Sequence, residues 1–193
     1  MSSFDFPYPI KTITNTPFVS GQLIPHNYVN ELGENLKSLG NYVGNPATCN
    51  RYKLQSQILT STSTKIFNWI PSLEFDSFDP ESVFTLGSDS ITVNRNGLYV
   101  VSFNLQVGKT NSTGSSFGLD MLVLARLLIN GFTRIYRRLN VNIPDGQYFE
   151  NSVSGTYTGY LTAGTIINLF AQDNGISTEV SQSNTTFSIA RQG

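Results

Sequence analysis

The side chains that could do chemistry are few and fall into three groups. Glu74, Asp76, Asp79 and Glu81 form the one acidic cluster of the chain. A hydrolase built on paired carboxylates needs two of them aimed across one cleft, and a calcium site needs several oxygens converging on a point. Spread over "EFDSFDPE" between two apolar stretches, these acids read instead as a solvated loop. Arg134, Arg137 and Arg138 surround Tyr136 and form the basic counterpart. Arginine forks beside an aromatic ring suit phosphate, carboxylate or sugar. Side chains alternate along a strand, however, so Arg137 and Arg138 must point opposite ways. That favours a rim or subunit-interface ion pair with one of the acids. His26 and Cys49 are the only residues of their kinds. A site of several histidines is therefore impossible, and any Ser-His or Cys-His machinery would have to use His26. No spacing links it to Cys49, which lies in a polar stretch and has no partner for an intrachain disulfide. His26 fits a capping or interface role at the start of a helix. No glycine-rich phosphate loop is present. The expectation is a protein that is not an enzyme and holds no cofactor or metal.

The elements that must position these groups follow from composition. A chain of 193 residues is long enough for one full-sized core. Only 13% of residues are charged, with a net charge of -1, against a usual quarter. That argues against a nucleic-acid partner bound by phosphate neutralisation. Abundant Ser, Thr and Asn, together with 13 Phe and 9 Tyr, suit pleated strands and turns better than helix interiors. The start "MSSFDFPYPIKTI" lacks the basic end and apolar centre of a signal peptide, and no run reaches the ~18 apolar residues of a membrane span. Both features predict a protein made in a cytoplasm, with no membrane partner.

Pro7, Pro9 and Pro17 make residues 1–24 an extended arm. Pro25 then opens a predicted helix over 25–43, with Val29, Leu32, Leu36 and Leu39 at three-four spacing. The same residues fit about two heptads of a coiled coil. Gly33 and the short length favour an amphipathic helix docked on a domain or a neighbour. Residues 44–64 read as a polar linker, and 65–193 as a β domain. Candidate strands there are 65–70, 82–86, 90–94, 98–107, 119–131, 134–141, 148–161, 165–173 and 184–191. In "DMLVLARLLI" helix and strand compete, and the following Asn130-Gly131, a hairpin signal, favours strand. In "NRNGLYVVSFNLQVG", residues 94–108, Tyr99, Val101, Phe103, Leu105 and Val107 form the predicted core face. The fold class is all-β, an antiparallel two-sheet jelly-roll sandwich preceded by the arm and the short helix.

From about Lys65 to Gly193 the order of landmarks resembles the C1q-like and tumour-necrosis-factor-like trimeric jelly roll. They are "IFNWIPSLEFDSFDPESVFTL", "NGLYVVSFNLQV", "LLING", "SGTYTGYLTAGTIINLFAQ" and "TTFSIARQG". The resemblance implies a homotrimer in which residues along one edge meet their copies around a threefold axis. Tyr99, Phe103, Tyr157, Tyr160 and Phe170 are the candidates for core or axis, and alternation alone does not assign them. The family often has an acid after the turn glycine. Here Gly164 is followed by Thr165, so no metal or ligand role is carried over. A proline-rich arm and a helix stand where animal members have a collagen stalk, an arrangement that looks like bacteriophage structural proteins with this jelly roll. The expected function is a capsid decoration or head-surface protein on the virion. It would be anchored to the major capsid protein or other virion proteins through residues 1–50, with Val29, Leu32, Leu36 and Leu39 in the anchor. The alternative is a tail-fibre or spike-tip knob that binds a host carbohydrate or protein through loops 108–118, 142–147 and 173–184.

Overall fold

In "LYVVSFNLQV" every second side chain is apolar, and in the folded chain those residues are sealed from water. Tyr99, Val101, Leu105 and Val107 are completely buried and Phe103 nearly so. The computed structural model describes residues 47–71, 79 and 82–192, which belong to one compact unit. The predicted arm over 1–24, the helix over 25–43 and its Val29, Leu32, Leu36 and Leu39 lie outside the described residues.

Among the described residues, thirteen strands make two antiparallel sheets: β1 (Thr48–Lys53), β2 (Gln57–Ile58), β3 (Thr64–Lys65), β4 (Trp69–Pro71), β5 (Phe84–Leu86), β6 (Ser90–Val93), β7 (Gly97–Thr110), β8 (Leu119–Ile129), β9 (Phe132–Ile143), β10 (Tyr148–Leu161), β11 (Ile166–Asp173), β12 (Glu179–Val180) and β13 (Thr186–Gln192). In sheet A the order is β2-β12-β7-β13-β1-β4, and β10 pairs along the other side of β7. Sheet B runs β5-β6-β11-β8-β9, and β3 pairs with β11. The core lies between the sheets. Against the inner side chains of β7 stand Met121, Val123, Ala125 and Leu127 of β8 and Ile167, Leu169 and Ala171 of β11, all essentially without solvent contact. The two-sheet jelly-roll expectation is therefore met. "DMLVLARLLI" is strand β8, and Asn130-Gly131 is its two-residue hairpin, with φ of 50° and 81° and Ile129 opposite Phe132. Positive φ at both central residues is the type I′ signature, whose twist matches that of the flanking strands.

The sequence reading fell short at the polar stretch. Residues 48–53, assigned to a linker over 44–64, form β1 between β13 and β4, and β2 also falls within that stretch. Cys49, assigned to a polar loop, is buried on the inner face of β1. Beside it on that face are Arg51 and Lys53, which hydrophobic patterning scores as surface residues. Arg51 donates to the Trp69 carbonyl at 2.6 Å and to the Ser90 carbonyl at 3.1 Å, so its guanidinium links sheet A to sheet B. The Lys53 ammonium donates to the Phe67 carbonyl at 2.8 Å and to Gln57 Oε1 at 3.0 Å, with the Phe67 ring 5.2 Å away. Three backbone carbonyls and the Gln57 amide oxygen thus stand in for water that these cations lose.

Glycine is required where β10 passes over the core ring of Phe103. A Cβ on Gly155 would lie 2.8 Å from both Phe103 Cε1 and Ile135 Cγ2. Its absence lets edge strand β10 close over the core beside β9.

Two buried groups set how stability responds to alkali. Burial pushes the Lys53 ammonium down from 10.5 to about 8. Between those values the unfolded chain holds a proton that the folded chain has lost, so stability rises with pH. Burial also pushes the Tyr99 phenol up from 10.0 to about 12, partly opposed by Arg191. Between those values the folded chain holds the extra proton, and stability falls with pH. Denaturant unfolding at intervals from pH 7.5 to 11.5 is expected to show stability climbing from about pH 8 and turning over near pH 10. Lys53→Met removes the climb and Tyr99→Phe removes the fall. An unchanged climb in Lys53→Met would mean that another group carries it.

Candidate assembly surface

The outer face of sheet A is built from the residues that alternate with the core. On β7 these are Leu98, Val100, Ser102, Asn104 and Gln106, each flanked by register partners. Tyr160 of β10 lies opposite Leu98, which lies opposite Gln192 of β13. The next row is Thr158, Val100, Ala190 and Thr48, and the next is Thr156, Ser102, Ser188 and Asn50. A fourth row holds Ser154, Asn104, Thr186, Tyr52 and Ile70. No side chain in these four rows is charged, and most are small. Charge returns only at the end of β7, where Glu150 and Glu179 flank Gly108. The face is internally tied: the Ser102 and Thr156 hydroxyls are 3.1 Å apart, and Asn104 Nδ2 donates to the Asn184 carbonyl at 2.7 Å. Depletion of charge marks the centre of a protein interface more reliably than hydrophobicity does. Tyr160, 66% exposed, and Leu98, 44% exposed, give this face its large apolar contacts.

The five aromatic candidates do not share one place. Tyr99 and Phe103 are intrachain core. The Tyr99 hydroxyl donates to the Arg95 carbonyl at 2.7 Å, and its ring meets Phe84 edge-on at 6.0 Å. Tyr157 is half-buried against the core at the β10 edge. Phe170 stands half-buried on the outer face of sheet B. Of the five, Tyr160 alone is on the outer face of sheet A. The small residues that make up most of that face carry no sequence signal for assembly. Their significance appears only when β1, β13, β7 and β10 are set in register.

The other candidate groups resolve into separate roles. Asp79 is a structural cap, its carboxylate accepting from the backbone N–H of Val83 at 2.6 Å and of Phe84 at 3.0 Å. Glu74, Asp76, Glu81 and His26 lie outside the described residues. Arg137 and Arg138 do point opposite ways. The expected ion pair is not what holds Arg137: its Nε donates to the Ser154 carbonyl at 3.2 Å, bridging β9 to β10. Arg134 and Arg138 are exposed. Among the described residues, no three His, Cys, Asp or Glu gather where they could hold a metal ion.

The loops proposed for recognition meet at one end of the sandwich. Asn111, fully buried, donates to the Ile143 carbonyl at 2.8 Å and accepts from Thr113, while the Gly114 N–H donates to Asp145. Asn174 donates to the Asp120 carbonyl at 2.8 Å, bringing in the third loop. Phe117, 89% exposed, stands at this end.

No protein-family model matches the chain, and no curated protein matches it. Solved structures do. The Eiger TNF of S. frugiperda superposes with a TM-score of 0.56 at 12% identity, over 77% of this chain and 94% of that one. Murine APRIL at pH 5.0 gives 0.51 at 15% identity, over 76% and 98%. At these identities the likeness establishes the fold, a tumour-necrosis-factor-like jelly roll.

Proposed function

We propose that the chain is a non-enzymatic structural protein that works as a homotrimer, its sheet A outer face turned toward neighbouring copies. The observation that carries this reading is the charge-free surface running across β10, β7, β13 and β1. A closed ring buries such a face without the repulsion that like-charged patches would create. Within that class the reading is a bacteriophage virion protein, a capsid decoration or head-surface component. The support for it is an arm-plus-helix sequence ahead of a weakly charged jelly roll. Segment 1–46 would be the anchor and the major capsid protein its partner. The limit of 50 expected for the anchor moves back to 46 because Thr48–Asn50 belong to β1.

Light scattering of the full chain at micromolar concentration is expected to give three times the 21.3 kDa chain mass. A chain lacking residues 1–46 is expected to remain trimeric but to lose co-sedimentation with virions. A monomer would overturn the assembly reading, and a truncated trimer that still decorates particles would overturn the anchor. A host-binding knob is the second reading, favoured by the three hydrogen-bonded loops and by Phe117 exposed among them. It predicts saturable binding of the purified protein to host cells, lost in Phe117→Ser.

A further inference from the structure

The outer face of sheet B differs from that of sheet A in charge. Register places Lys65 of β3, Phe170 of β11, Arg126 of β8 and Tyr136 of β9 side by side in one row across it. The adjacent row holds Gln172, Leu124 and Arg138. Directly opposed residues on one face lie about 5 Å apart at Cβ, so Arg126 is flanked by an aromatic ring on either side and Arg138 lies diagonal to it. The β8–β9 hairpin carries Arg126, Arg134, Arg137 and Arg138 against one acid, Asp120. Asp120 sits at the far end of the hairpin, opposite Asn142. In a chain where 13% of residues are charged and the net charge is -1, four arginines on one hairpin are a marked segregation.

These cations differ in how far the protein satisfies them. Lys65 is neutralised by Asp89 at 3.0 Å. Among the described residues Arg126 makes a single bond, from Nη2 to Gln172 Oε1 at 3.2 Å, an acceptor that aims the guanidinium without neutralising it. The Arg138 guanidinium makes no hydrogen bond or ion pair among the described residues. Tyr136, 52% exposed, stands directly opposite Arg126.

We propose that this row is a binding site for a carboxylated oligosaccharide. Arg126 and Arg138 would hold the carboxylates by paired N–H donation, and Tyr136 and Phe170 would stack on the sugar rings. A guanidinium matches a carboxylate two bonds at a time. The exposed Tyr136 ring and the half-buried Phe170 ring beside it add the apolar contact that a pyranose face offers and a flexible acidic peptide does not. Sheet A and sheet B turn their outer faces in opposite directions, so the site stays open when copies associate through sheet A. It does not depend on that association. It also puts carbohydrate recognition on a rigid sheet face, away from the loops that end in Phe117.

The test is calorimetric titration of the full chain with hexagalacturonate, with maltohexaose and hexaglutamate as controls. Saturable binding of hexagalacturonate alone is expected. Arg126→Gln with Arg138→Gln should weaken it by about tenfold or more, since each guanidinium gives up charge-assisted bonds. Tyr136→Leu should also weaken it, at unchanged charge. All three positions point away from the core, and circular dichroism and light scattering on the same samples separate lost binding from lost fold or assembly. Equal binding of hexaglutamate, equal binding of maltohexaose, no binding of hexagalacturonate, or full binding by the double arginine variant would each overturn the proposal. A monomer that still binds hexagalacturonate would sink the trimer and leave this site standing.

Discussion

Phe187→Ala is expected to destabilise the β unit by about 3–5 kcal/mol, the range for truncating a fully buried aromatic ring. Phe187 has no solvent exposure and stands opposite Phe103 on β7. Its ring centroid lies 5.5 Å from that of Trp69, tilted by 50°. The truncation therefore opens a void between two large rings. Neither neighbour has an easy route to fill it: the Trp69 indole is pinned by a hydrogen bond from Nε1 to the Ile66 carbonyl at 2.9 Å. Phe103 is hemmed in on its other side by the close approach of Gly155. Since domains of this size are stable by only about 5–15 kcal/mol, the variant should show a sharply lower urea midpoint with an unchanged slope. Phe187→Leu, which keeps most of the volume, should recover over half of the loss. A loss below about 1 kcal/mol in Phe187→Ala would mean that the core collapses around the void and that β13 is less constrained than its register implies.

What the sequence disclosed depended on whether a strand's inner side chains are apolar. Where they are, as on β7, alternation named the buried residues, and the limits of β7, β11 and β13 came within a few positions. Strand β10 falls at 148–161 as expected, even though much of it is exposed. Strand β8 was ambiguous for a physical reason. Leu122, Leu124 and Leu128 line its outer face while Met121, Val123 and Leu127 line the core, so no two-residue period survives. Strand β1 was lost because Cys49, Arg51 and Lys53 are its inner residues. Two cations held by backbone carbonyls look like surface side chains in any hydropathy scale. Both candidate surfaces were hidden for another reason. The rows Thr158-Val100-Ala190-Thr48 and Lys65-Phe170-Arg126-Tyr136 each draw on strands far apart in the chain, and only long-range register sets them side by side. A sequence can say that Val100 points away from Val101. It does not say that its neighbours are Thr, Ala and Thr rather than Lys and Glu.

The absence of charge on that first row is what makes the assembly reading testable with one atom-scale change. Val100→Asp places a carboxylate at the centre of the sheet A face, pointing away from the core side chains of Tyr99 and Val101 that precede and follow it, with Thr158 and Ala190 on either side. In a monomer the carboxylate is half-exposed and hydrated, so folding should be nearly unaffected, within about 0.5 kcal/mol. In a trimer the threefold axis repeats the change three times. Each carboxylate would lose water against a surface with no cation to receive it, at a cost of several kcal/mol per ion. At about 1.4 kcal/mol per factor of ten, that is a loss of several orders of magnitude in the association constant. Light scattering should therefore show a folded monomer at micromolar concentration. Leu124→Asp on the outer face of sheet B introduces the same charge among arginines and should leave the trimer intact. If Val100→Asp stays trimeric, the copies do not meet through this face. If both variants dissociate, added charge acts through net repulsion and not through a buried surface. The contrast between the two carboxylates, one facing Thr and Ala and the other facing Arg138, tests whether copies meet through the outer face of sheet A and not through that of sheet B.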